Sequence, residues 1–484
     1  MADYRLLPHS EEDESAREME DSDENDDDRK KKTKIKSKGG KRESDPVLDV
    51  IGEFGPYQAW ICFVGFLMNM VHAWLSLSLK FVGMKTKFVC LDSSDSEQDS
   101  SSEDADQCFV KSKGSTKPCT AWTYDETDFK GSIVERWNLV CDKGGEENIA
   151  QSVFFAGCLV GVFLAGQASD RFGRKPITIA LLVIFIATAC AGGIVTSWTI
   201  WLSLRFVVGA ASIGMVTVRY TIQVEMIGSS WRSYANTATS CGWVAGYITL
   251  PLLAYIMQDM HQLEIVIGLS MFPILLLIVF CHPESPKWLL TVGRLKKAAV
   301  VLNRAAAWNR LPAAPPVSSS PSTIESSSSS SSLLSLLSFP RQLRCLLLMC
   351  FCWLSFGMAY FGIALHTPEF GSNVFLVFFI GGVMELPVLL LTPCLLNSSI
   401  GRRYCLTGGL ALGAACLILS SIVPSGIFYK EWPVITLAIL GKVGVGLAFD
   451  TGNVWTSELF PTAVRNSALS TCSSFARFLD HLLL

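Results

Sequence analysis

The chain has 484 residues, of which 50% are hydrophobic and only 17% are charged. A soluble domain usually carries about 25% charged residues, so this composition excludes an ordinary soluble protein. The net charge of −3 indicates no partner, because acidic and basic residues are sorted into different parts of the chain. Many separate apolar stretches reach the roughly 20 residues that a helix needs to cross a bilayer. The composition therefore predicts an all-α, polytopic membrane protein.

Residues 1–46 form a polar tail in which an acidic stretch, SEEDESAREMEDSDENDDD, precedes a basic one, RKKKTKIKSKGGKR. Neither stretch can bury a core, so we predict that the tail is disordered. Positive charge next to a first membrane span stays on the cytoplasmic side, so the tail and the amino terminus are predicted to be cytoplasmic. We expect no cleavable signal peptide in this stretch.

Apolar spans follow in two groups. The first group has six spans, at about 58–83, 148–169, 176–195, 198–219, 234–256 and 262–281. The second group has spans at about 342–365, 373–396, 404–424 and 432–456, and the start of a fifth near Ser467. A polar stretch at 291–341, which contains SSSPSTIESSSSSSS, is interpreted as a cytoplasmic linker. The predicted organisation is a six-helix bundle over 47–290 and a partial second bundle over 342–484.

A long hydrophilic loop, residues 84–147, separates the first two spans. With the amino terminus inside, this loop is predicted to be extracellular. It contains four of the 16 cysteines, Cys90, Cys108, Cys119 and Cys141. Cysteines in an extracellular segment are typical of disulfide bonds. We predict two disulfides, and the sequence leaves all three possible pairings open.

Short charged motifs recur in the two groups. DRFGRKP at 170–176 follows the second span, and NSSIGRR at 397–403 follows the second span of the later group, although it lacks the aspartate and the first arginine. Glu225 and Arg232 are seven residues apart, as are Glu458 and Arg465. Parallel repeats of this kind suit a transporter whose two halves rock about a substrate held between them.

The motif residues are carboxylates and cations at predicted helix ends, where they can pair with neighbouring charges and helix dipoles. We predict that they form a latch that holds the two bundles closed at the cytoplasmic face. The simpler alternative is that the basic residues only fix the orientation in the membrane. The predicted latch residues are Asp170, Arg171, Arg174, Lys175, Glu225, Arg232, Glu458 and Arg465.

Several stretches together resemble one transporter family. They are GEFGPYQ at 52–58, CTAWTYD and SIVERWNLVC between Cys119 and Cys141, GQASDRFGRKP at 166–176, PESPKWLL at 283–290 and ELFPTAVRN at 458–466. The chain resembles the organic cation, anion and zwitterion transporters, solute carrier family 22, of the major facilitator superfamily. The combination covers nearly all of the chain after residue 46, and the cysteine loop with PESPKWLL is more specific than DRFGRK alone.

This resemblance implies the major facilitator fold of two six-helix bundles in the plasma membrane. It also implies movement of small organic ions, either facilitated or coupled to Na⁺ or H⁺. No Walker A, HExxH or CxxC motif is present, so nothing predicts an enzyme, a cofactor, a metal site or a nucleic-acid partner.

The family pattern continues past ELFPTAVR with two further spans, whereas this chain stops within the eleventh. The second bundle is therefore expected to be incomplete. The rival interpretation is a receptor-like or dominant-negative membrane protein that does not transport.

Ionisable side chains inside a span indicate a functional site by default. Asp450 lies eight residues after Lys442 in the tenth span, so both project from one helix face. The resemblance places Arg477 where anion and carnitine-type relatives carry arginine and cation transporters carry aspartate. We predict that Arg477 binds the carboxylate of a zwitterion such as carnitine or a betaine, and that Asp450 attracts its ammonium group. The alternative is that Asp450 pairs internally with Lys442 or Arg477.

Aromatic and further acidic residues complete the predicted substrate site. The resemblance places Tyr360 and Phe361 among the cavity aromatics, whose faces attract quaternary ammonium groups. It also matches Glu385 to a glutamate of the eighth span. A packing role is the alternative for each. Two weaker candidates in the fifth span are Trp243 and Tyr247. Arg219, near the inner end of the fourth span, is expected to extend to water.

Overall fold

The computed structural model describes residues 47–84, 87–91, 108–112, 115–124, 129–228, 230–312, 340–366, 373–398, 400–423, 432–460, 468 and 471–475. The predicted tail at 1–46, most of the serine-rich linker, and the candidates Arg465 and Arg477 lie outside these residues.

Proline and capping residues favour the starts of several helices in the first group. Pro56 occupies the first turn of the first long helix, where its missing N–H is no loss. The Asp259 and Ser285 side chains cap two later helices by accepting backbone N–H bonds. In chain order the helices are α1 (Leu48–Ile51), α2 (Pro56–Leu77), α3 (Leu79–Val82), α4 (Ile133–Trp137), α5 (Glu146–Phe172), α6 (Arg174–Ile194), α7 (Trp198–Met226), α8 (Arg232–Met257), α9 (Met260–Phe280), α10 (Pro286–Thr291) and α11 (Leu295–Trp308).

The second helix group contains one interrupted span. Its helices are α12 (Pro340–His366), α13 (Val374–Val383), α14 (Glu385–Asn397), α15 (Gly401–Ile422) and α16 (Trp432–Leu459). α13 and α14 are two parts of the same span, and they meet at Met384. Pro387 explains the interruption, because it has no N–H to donate to the Val383 carbonyl and its ring clashes with that group.

Ten helical segments within the described residues are long and apolar enough to cross a membrane, six before residue 281 and four after residue 339. Their number and order follow the predicted spans. One boundary differs clearly: α7 continues to Met226, whereas the fourth span was predicted to end at 219. The additional helix carries polar residues, among them Gln223 and Glu225, which find partners inside the protein.

Glycines allow two pairs of helices in the first group to approach closely. A Cβ atom at Gly157 of α5 would lie 2.0 Å from the carbonyl oxygen of Phe206 in α7. A Cβ atom at Gly242 of α8 would lie 2.1 Å from the carbonyl oxygen of Phe66 in α2. Within a membrane, close backbone packing of this kind holds helices together where the hydrophobic effect between them is weak.

The cysteine loop, residues 84–147, carries two antiparallel strand pairs. β1 (Phe88–Cys90) pairs with β4 (Trp122–Tyr124), and β2 (Phe109–Ser112) pairs with β3 (Ser115–Pro118). Disulfide bonds join Cys90 to Cys119 and Cys108 to Cys141, with Cα atoms 6.1 and 5.7 Å apart. Of the three pairings that the sequence left open, the structure has this one.

The cysteine loop is attached to one end of the first helix group. The Lys130 N–H donates to the Gln258 carbonyl at 2.8 Å, and the Arg136 guanidinium donates to the Val195 carbonyl at 2.8 Å and contacts His261. We call this side of the protein the cysteine-loop end. The opposite side, which carries DRFGRKP and PESPKWLL, is the motif end.

We expect Gly157→Ala to lower the melting temperature of the detergent-solubilised protein. The added methyl group would meet the Phe206 carbonyl oxygen at 2.0 Å, and overpacking of this kind costs about 1–3 kcal/mol. Gly166→Ala is the matched control, because it lies in the same helix and nothing lies within 4 Å of its Cβ position. Fluorescence-detected size-exclusion chromatography after heating measures both, and equal melting temperatures would contradict the packing described.

Candidate functional site

A cavity of about 310 Å³ lies between the two helix groups. Its lining residues come from α2, α5, α7 and α8 of the first group and from α12, α14 and α16 of the second. Among the described lining residues, the carboxylates are Glu385 and Asp450, the permanent cations are Arg219 and Lys442, and His72 is a further titratable group. Aromatic side chains supply much of the remaining wall. A concave site with apolar walls and a few polar groups is typical of small-molecule binding.

Glu385 and Lys442 form a buried ion pair in the cavity wall. Lys442 Nζ lies 2.8 Å from Glu385 Oε1, which also accepts a hydrogen bond from the Tyr360 hydroxyl at 2.8 Å. The same hydroxyl accepts a bond from Trp243 Nε1 at 2.8 Å. Lys442 Nζ also lies 3.5 Å from the centroid of the Tyr247 ring, a cation–π contact. This network joins α8 of the first group to α12, α14 and α16 of the second.

Tyr247 does not line the cavity. Its side chain is 2% exposed, packs against Phe378 with ring centroids 4.4 Å apart, and faces the Lys442 ammonium. The structure therefore corrects the prediction that Tyr247 contacts substrate: it places the ring behind the cavity wall, where it supports Lys442. The other four candidates among the described residues of α8, α12 and α14 do line the cavity, namely Trp243, Tyr360, Phe361 and Glu385.

Asp450 faces the cavity from α16. Lys442 binds Glu385 instead of Asp450, so the internal Lys442–Asp450 pair considered as an alternative is wrong. Within the described part of the chain, the Asp450 carboxylate has neither a hydrogen bond nor an ion pair. A half-buried carboxylate without a partner is unfavourable, because desolvation is not offset by a neighbouring cation. The position therefore suits a cationic group supplied by a solute.

Aromatic rings from both helix groups surround this part of the cavity. Tyr360 has ring centroids 5.4 Å from Phe361 and 6.0 Å from Phe449. Trp243 lies 6.4 Å from Phe361 and 5.6 Å from the His72 ring. We call Trp243, Tyr360, Phe361 and Phe449 the aromatic cluster. Ring faces of this kind hold quaternary ammonium groups, which cannot donate hydrogen bonds.

Arg219 also lines the cavity, a position that the sequence analysis missed. Its side chain lies on α7 and the residue is 5% exposed, so the expectation that it extends to water is wrong. One terminal nitrogen donates to Gln223 Oε1 at 2.7 Å, and Nε has no hydrogen-bond partner among the described residues. The available signal was the spacing of Arg219 and Gln223, because polar residues four apart share a helix face.

The charged motif after α5 ties together helix ends of the first group. Arg174 NH2 lies 2.9 Å from both Asp170 Oδ1 and Glu225 Oε1. The Arg174 backbone N–H donates to Glu284 Oε1 at 2.9 Å, and Trp288 Nε1 donates to the Asp170 carbonyl at 2.8 Å. These contacts join α5, α6, α7 and α10 at the motif end.

The second group has a corresponding pair that the sequence analysis assigned only in part. Arg402 donates two hydrogen bonds to Glu458, at 3.0 and 2.9 Å, and a third to the Leu396 carbonyl at 3.1 Å. Arg402 thus has the role that Arg174 has in the first group, although it was not among the predicted latch residues. Both described pairs join helices of the same group. In this arrangement neither pair connects the two bundles, and the latch between the bundles stays a prediction.

The remaining described latch candidates also make contacts inside the first group. Arg171 is exposed. The Lys175 ammonium donates to the Val279 carbonyl at 2.9 Å, and Arg232 Nε donates to the Ile227 carbonyl at 3.2 Å. Cations near carbonyl ends of helices are stabilised by the helix dipole. These residues hold a bundle together and orient its helix ends.

The two groups touch through aromatic rings at the cysteine-loop end. Phe81 stacks on Phe375 with centroids 5.3 Å apart and contacts Phe378 at 5.1 Å. Tyr255 contacts Phe375 at 5.7 Å. At the motif end, by contrast, the described ion pairs lie inside each group. Packed rings therefore close the space between the groups at the cysteine-loop end.

Residues 108–479 match the protein family described as "Sugar (and other) transporter". Solute carrier family 22 member 12 of Rattus norvegicus is 31% identical over 377 residues, which cover 76% of this chain and 67% of the relative.

The chain belongs to solute carrier family 22, within the major facilitator superfamily.

Other relatives are similar over most of the chain, and one solved structure shares the fold. The organic cation transporter protein of Drosophila melanogaster is 29% identical over 469 residues, covering 90% of this chain and 84% of the relative. Human solute carrier family 22 member 13 is 32% identical over 366 residues, covering 75% of this chain and 65% of the relative. A partially occluded inward-open structure of the E. coli xylose transporter XylE superposes with a TM-score of 0.60 at 15% identity, covering 88% of this chain and 90% of XylE.

The predicted fold and family are confirmed by these similarities. As a member of solute carrier family 22, the protein is a multi-pass membrane transporter for a small molecule and not an enzyme. Its two helix groups correspond to the two bundles of the major facilitator fold. The cavity described above lies between them, where parallel-repeat transporters hold their substrate.

His282, at the motif end of this family 22 member, is buried, and it forms no ion pair with a carboxylate among the described residues. The residue is 5% exposed, and its Nδ1–H donates to the Pro283 carbonyl at 2.9 Å. Burial lowers the pKa of His282 to about 4, and the nearby Lys175 ammonium acts in the same direction. The hydrogen bond to Pro283 opposes this shift. The ring is therefore neutral near pH 7.

We expect Arg174→Gln to reduce the melting temperature and surface expression far more than Arg402→Gln. The Arg174 and Glu225 side chains are only 9% and 17% exposed, and removing one partner of a buried pair costs about 3–5 kcal/mol. The Arg402 and Glu458 side chains are 38% and 44% exposed, and an exposed pair contributes about 0–1 kcal/mol. Equal losses in a thermal-shift assay would show that Arg174 does not organise the bundle.

The melting temperature should also fall as the pH drops below about 6.5, the ordinary pKa of histidine. The folded-state pKa of His282 is about 4, so between these values the unfolded chain binds a proton that the folded chain does not. Stability is therefore complete above the unfolded pKa and decreases by up to about 1.4 kcal/mol per pH unit below it. His282→Gln should flatten this dependence; an unchanged slope would assign the effect to another group.

Proposed function

We propose that the protein moves small organic ions across the plasma membrane by alternating access. The favoured substrate class is a zwitterion that carries a quaternary ammonium group and a carboxylate, such as carnitine or a betaine; organic cations and anions are the other candidates. The observation that carries this proposal is the Asp450 carboxylate, which has no partner among the described residues and shares a cavity between the two bundles with the aromatic cluster.

The cationic part of the solute is assigned to Asp450 and the aromatic cluster. Because Glu385 and Lys442 neutralise each other at 2.8 Å, Asp450 is the carboxylate in the described wall that is left to attract a cation. The ring faces of Trp243 and Tyr360 add cation–π attraction. The assignment of Arg477 to the solute carboxylate stays a prediction, since Arg477 lies outside the described residues.

Alternating access is supported by the way contacts are distributed. Ion pairs at the motif end tie helices within a group, so that each group can move as a body. The contacts between groups at the cysteine-loop end are aromatic, and such contacts separate without leaving charges unpaired. The similarity to an inward-open XylE structure supports access from the motif end in this arrangement.

The orientation in the membrane follows from the charges at the two ends. Basic residues of the DRFGRKP and GRR motifs gather at the motif end, which favours the cytoplasmic side. The two disulfides lie in the loop at the other end, which favours the oxidising exterior. We therefore propose a cytoplasmic amino terminus and a plasma-membrane location. Coupling to Na⁺ or H⁺ stays part of the proposal.

Uptake of labelled carnitine, glycine betaine, tetraethylammonium and an aryl carboxylate in oocytes tests the substrate class. Asp450→Asn should reduce uptake of carnitine and betaine at least tenfold, because it removes a charge-assisted contact in a desolvated site, where such contacts contribute about 1.5–3 kcal/mol. Arg477→Ala should do the same for solutes with a carboxylate. The matched control is Asp49→Asn, an exposed carboxylate ahead of the first span, which should leave uptake unchanged.

Surface biotinylation must show equal amounts of each variant at the membrane. If Asp450→Asn and Arg477→Ala both leave carnitine uptake at the wild-type rate, the assignment of the site is wrong. If none of the four solutes is taken up by the wild type, the proposed substrate class is wrong.

A further inference from the structure

We infer that Arg219 is a second guanidinium for the carboxylate of the substrate, on the bundle opposite the predicted Arg477, and that it makes the cavity selective for zwitterions over simple cations. The inference rests on the proposed function, because it assigns the anionic half of the same solute. Arg219 projects from α7 of the first bundle, whereas Asp450 projects from α16 of the second. A bound zwitterion would therefore contact a charge from each bundle.

The charge balance of the cavity wall leads to this assignment. Of the four charged residues in the described wall, Glu385 and Lys442 neutralise each other. The other two, Arg219 and Asp450, have no ion-pair partner within 4.0 Å among the residues described. One uncompensated cation and one uncompensated anion in a single cavity match the charge pattern of a zwitterion.

No carboxylate among the described residues neutralises the charge of Arg219. Its described hydrogen-bond partner is the neutral amide of Gln223, at 2.7 Å, and Nε is buried without a partner among the described residues. Burying a cation costs several kcal/mol unless a counter-charge and hydrogen bonds offset the loss of water. A carboxylate supplies both, because its two oxygens match the planar guanidinium.

Packing on α2 holds the guanidinium in place before any solute arrives. A Cβ atom at Gly65 would lie 2.8 Å from Arg219 NH1 and 3.0 Å from its Cδ. The glycine therefore provides the space in which the side chain lies against α2. Gln223 fixes the other side through its hydrogen bond. A cation held in one position loses little conformational entropy on binding.

Selectivity follows from the charge that each class of solute would leave uncompensated. A simple organic cation neutralises Asp450 and leaves Arg219 buried without a counter-ion. A simple carboxylate neutralises Arg219 and leaves Asp450 buried without a counter-ion. A zwitterion satisfies both residues, so the penalty against the other two classes discriminates between solutes of the same size.

The test compares two solutes that share a cation. Labelled carnitine carries a trimethylammonium group and a carboxylate, and butyltrimethylammonium carries the cation alone. In oocytes expressing Arg219→Gln, the KM for carnitine should rise roughly tenfold to a hundredfold, the range expected for loss of a charge-assisted hydrogen bond. The KM for butyltrimethylammonium should stay the same or fall. Arg219→Lys should retain part of the carnitine preference, because it keeps the positive charge but loses the paired donors of the planar guanidinium.

Arg304→Gln is the matched control, because Arg304 is exposed on α11 and does not line the cavity. It should leave both KM values unchanged. If Arg219→Gln raises the KM of both solutes equally, Arg219 does not recognise the carboxylate and the inference is overturned. The proposed transport of organic ions would still stand. If the wild type takes up the cation and not carnitine, the inference is likewise overturned and transport again stands. If the wild type takes up neither these solutes nor an organic anion, both the inference and the proposed function fail.

A measurement on the wild type covers the case in which Arg219→Gln does not reach the membrane. Phenylglyoxal modifies arginine, and mass spectrometry of the treated protein locates the modified residues. Carnitine should protect Arg219 from modification, whereas butyltrimethylammonium should not, and neither should protect Arg304. Equal protection of Arg219 by both solutes, or by neither, would overturn the inference.

Discussion

A charge inside a bilayer must have a partner, and this constraint explains how the helices of each bundle are arranged. In the first bundle, Arg205 of α7 lies 3.9 Å from Glu264 of α9, and Trp201 Nε1 donates to the same carboxylate. In the second bundle, Lys442 of α16 lies 2.8 Å from Glu385 of α14. Because an isolated buried ion costs several kcal/mol, each pair determines which two helices pack side by side.

The same constraint separates structural charges from functional ones. A charge that has a partner inside its own bundle contributes to the bundle's shape. The charges left over face the cavity, where a solute rather than a second helix can satisfy them. In the proposed transport cycle, structural pairs would stay formed, whereas a charge that binds the solute would change partners in every cycle. Glycine packing between α5 and α7, and between α2 and α8, keeps the bundles compact enough to preserve the pairs.

Sequence reasoning predicted the fold because the length and apolar character of a span depend on local residues alone. It also placed Lys442 and Asp450 on one helix face, which helix periodicity determines. It did not find that Lys442 pairs with Glu385, because that contact depends on how two distant spans pack. The prediction that Tyr247 lines the cavity was wrong for the same reason, because the Lys442 ammonium covers its ring. The prediction that Arg219 extends to water was wrong because the position of a residue along a span does not reveal whether its side chain faces lipid or a cavity.

The two parts of the span that meet at Met384, α13 and α14, make different kinds of contact. The rings of Phe375 and Phe378 lie on α13, whereas Glu385 lies on α14 and is bound to Lys442. Met384 itself keeps helical backbone angles, with φ −67° and ψ −13°, so the ten-residue α13 and α14 continue as one span. In the proposed transport cycle, opening the cavity at the cysteine-loop end would separate a few aromatic pairs, at about 0.5–1.5 kcal/mol for each pair. It would leave the ion pair between Lys442 and Glu385 intact.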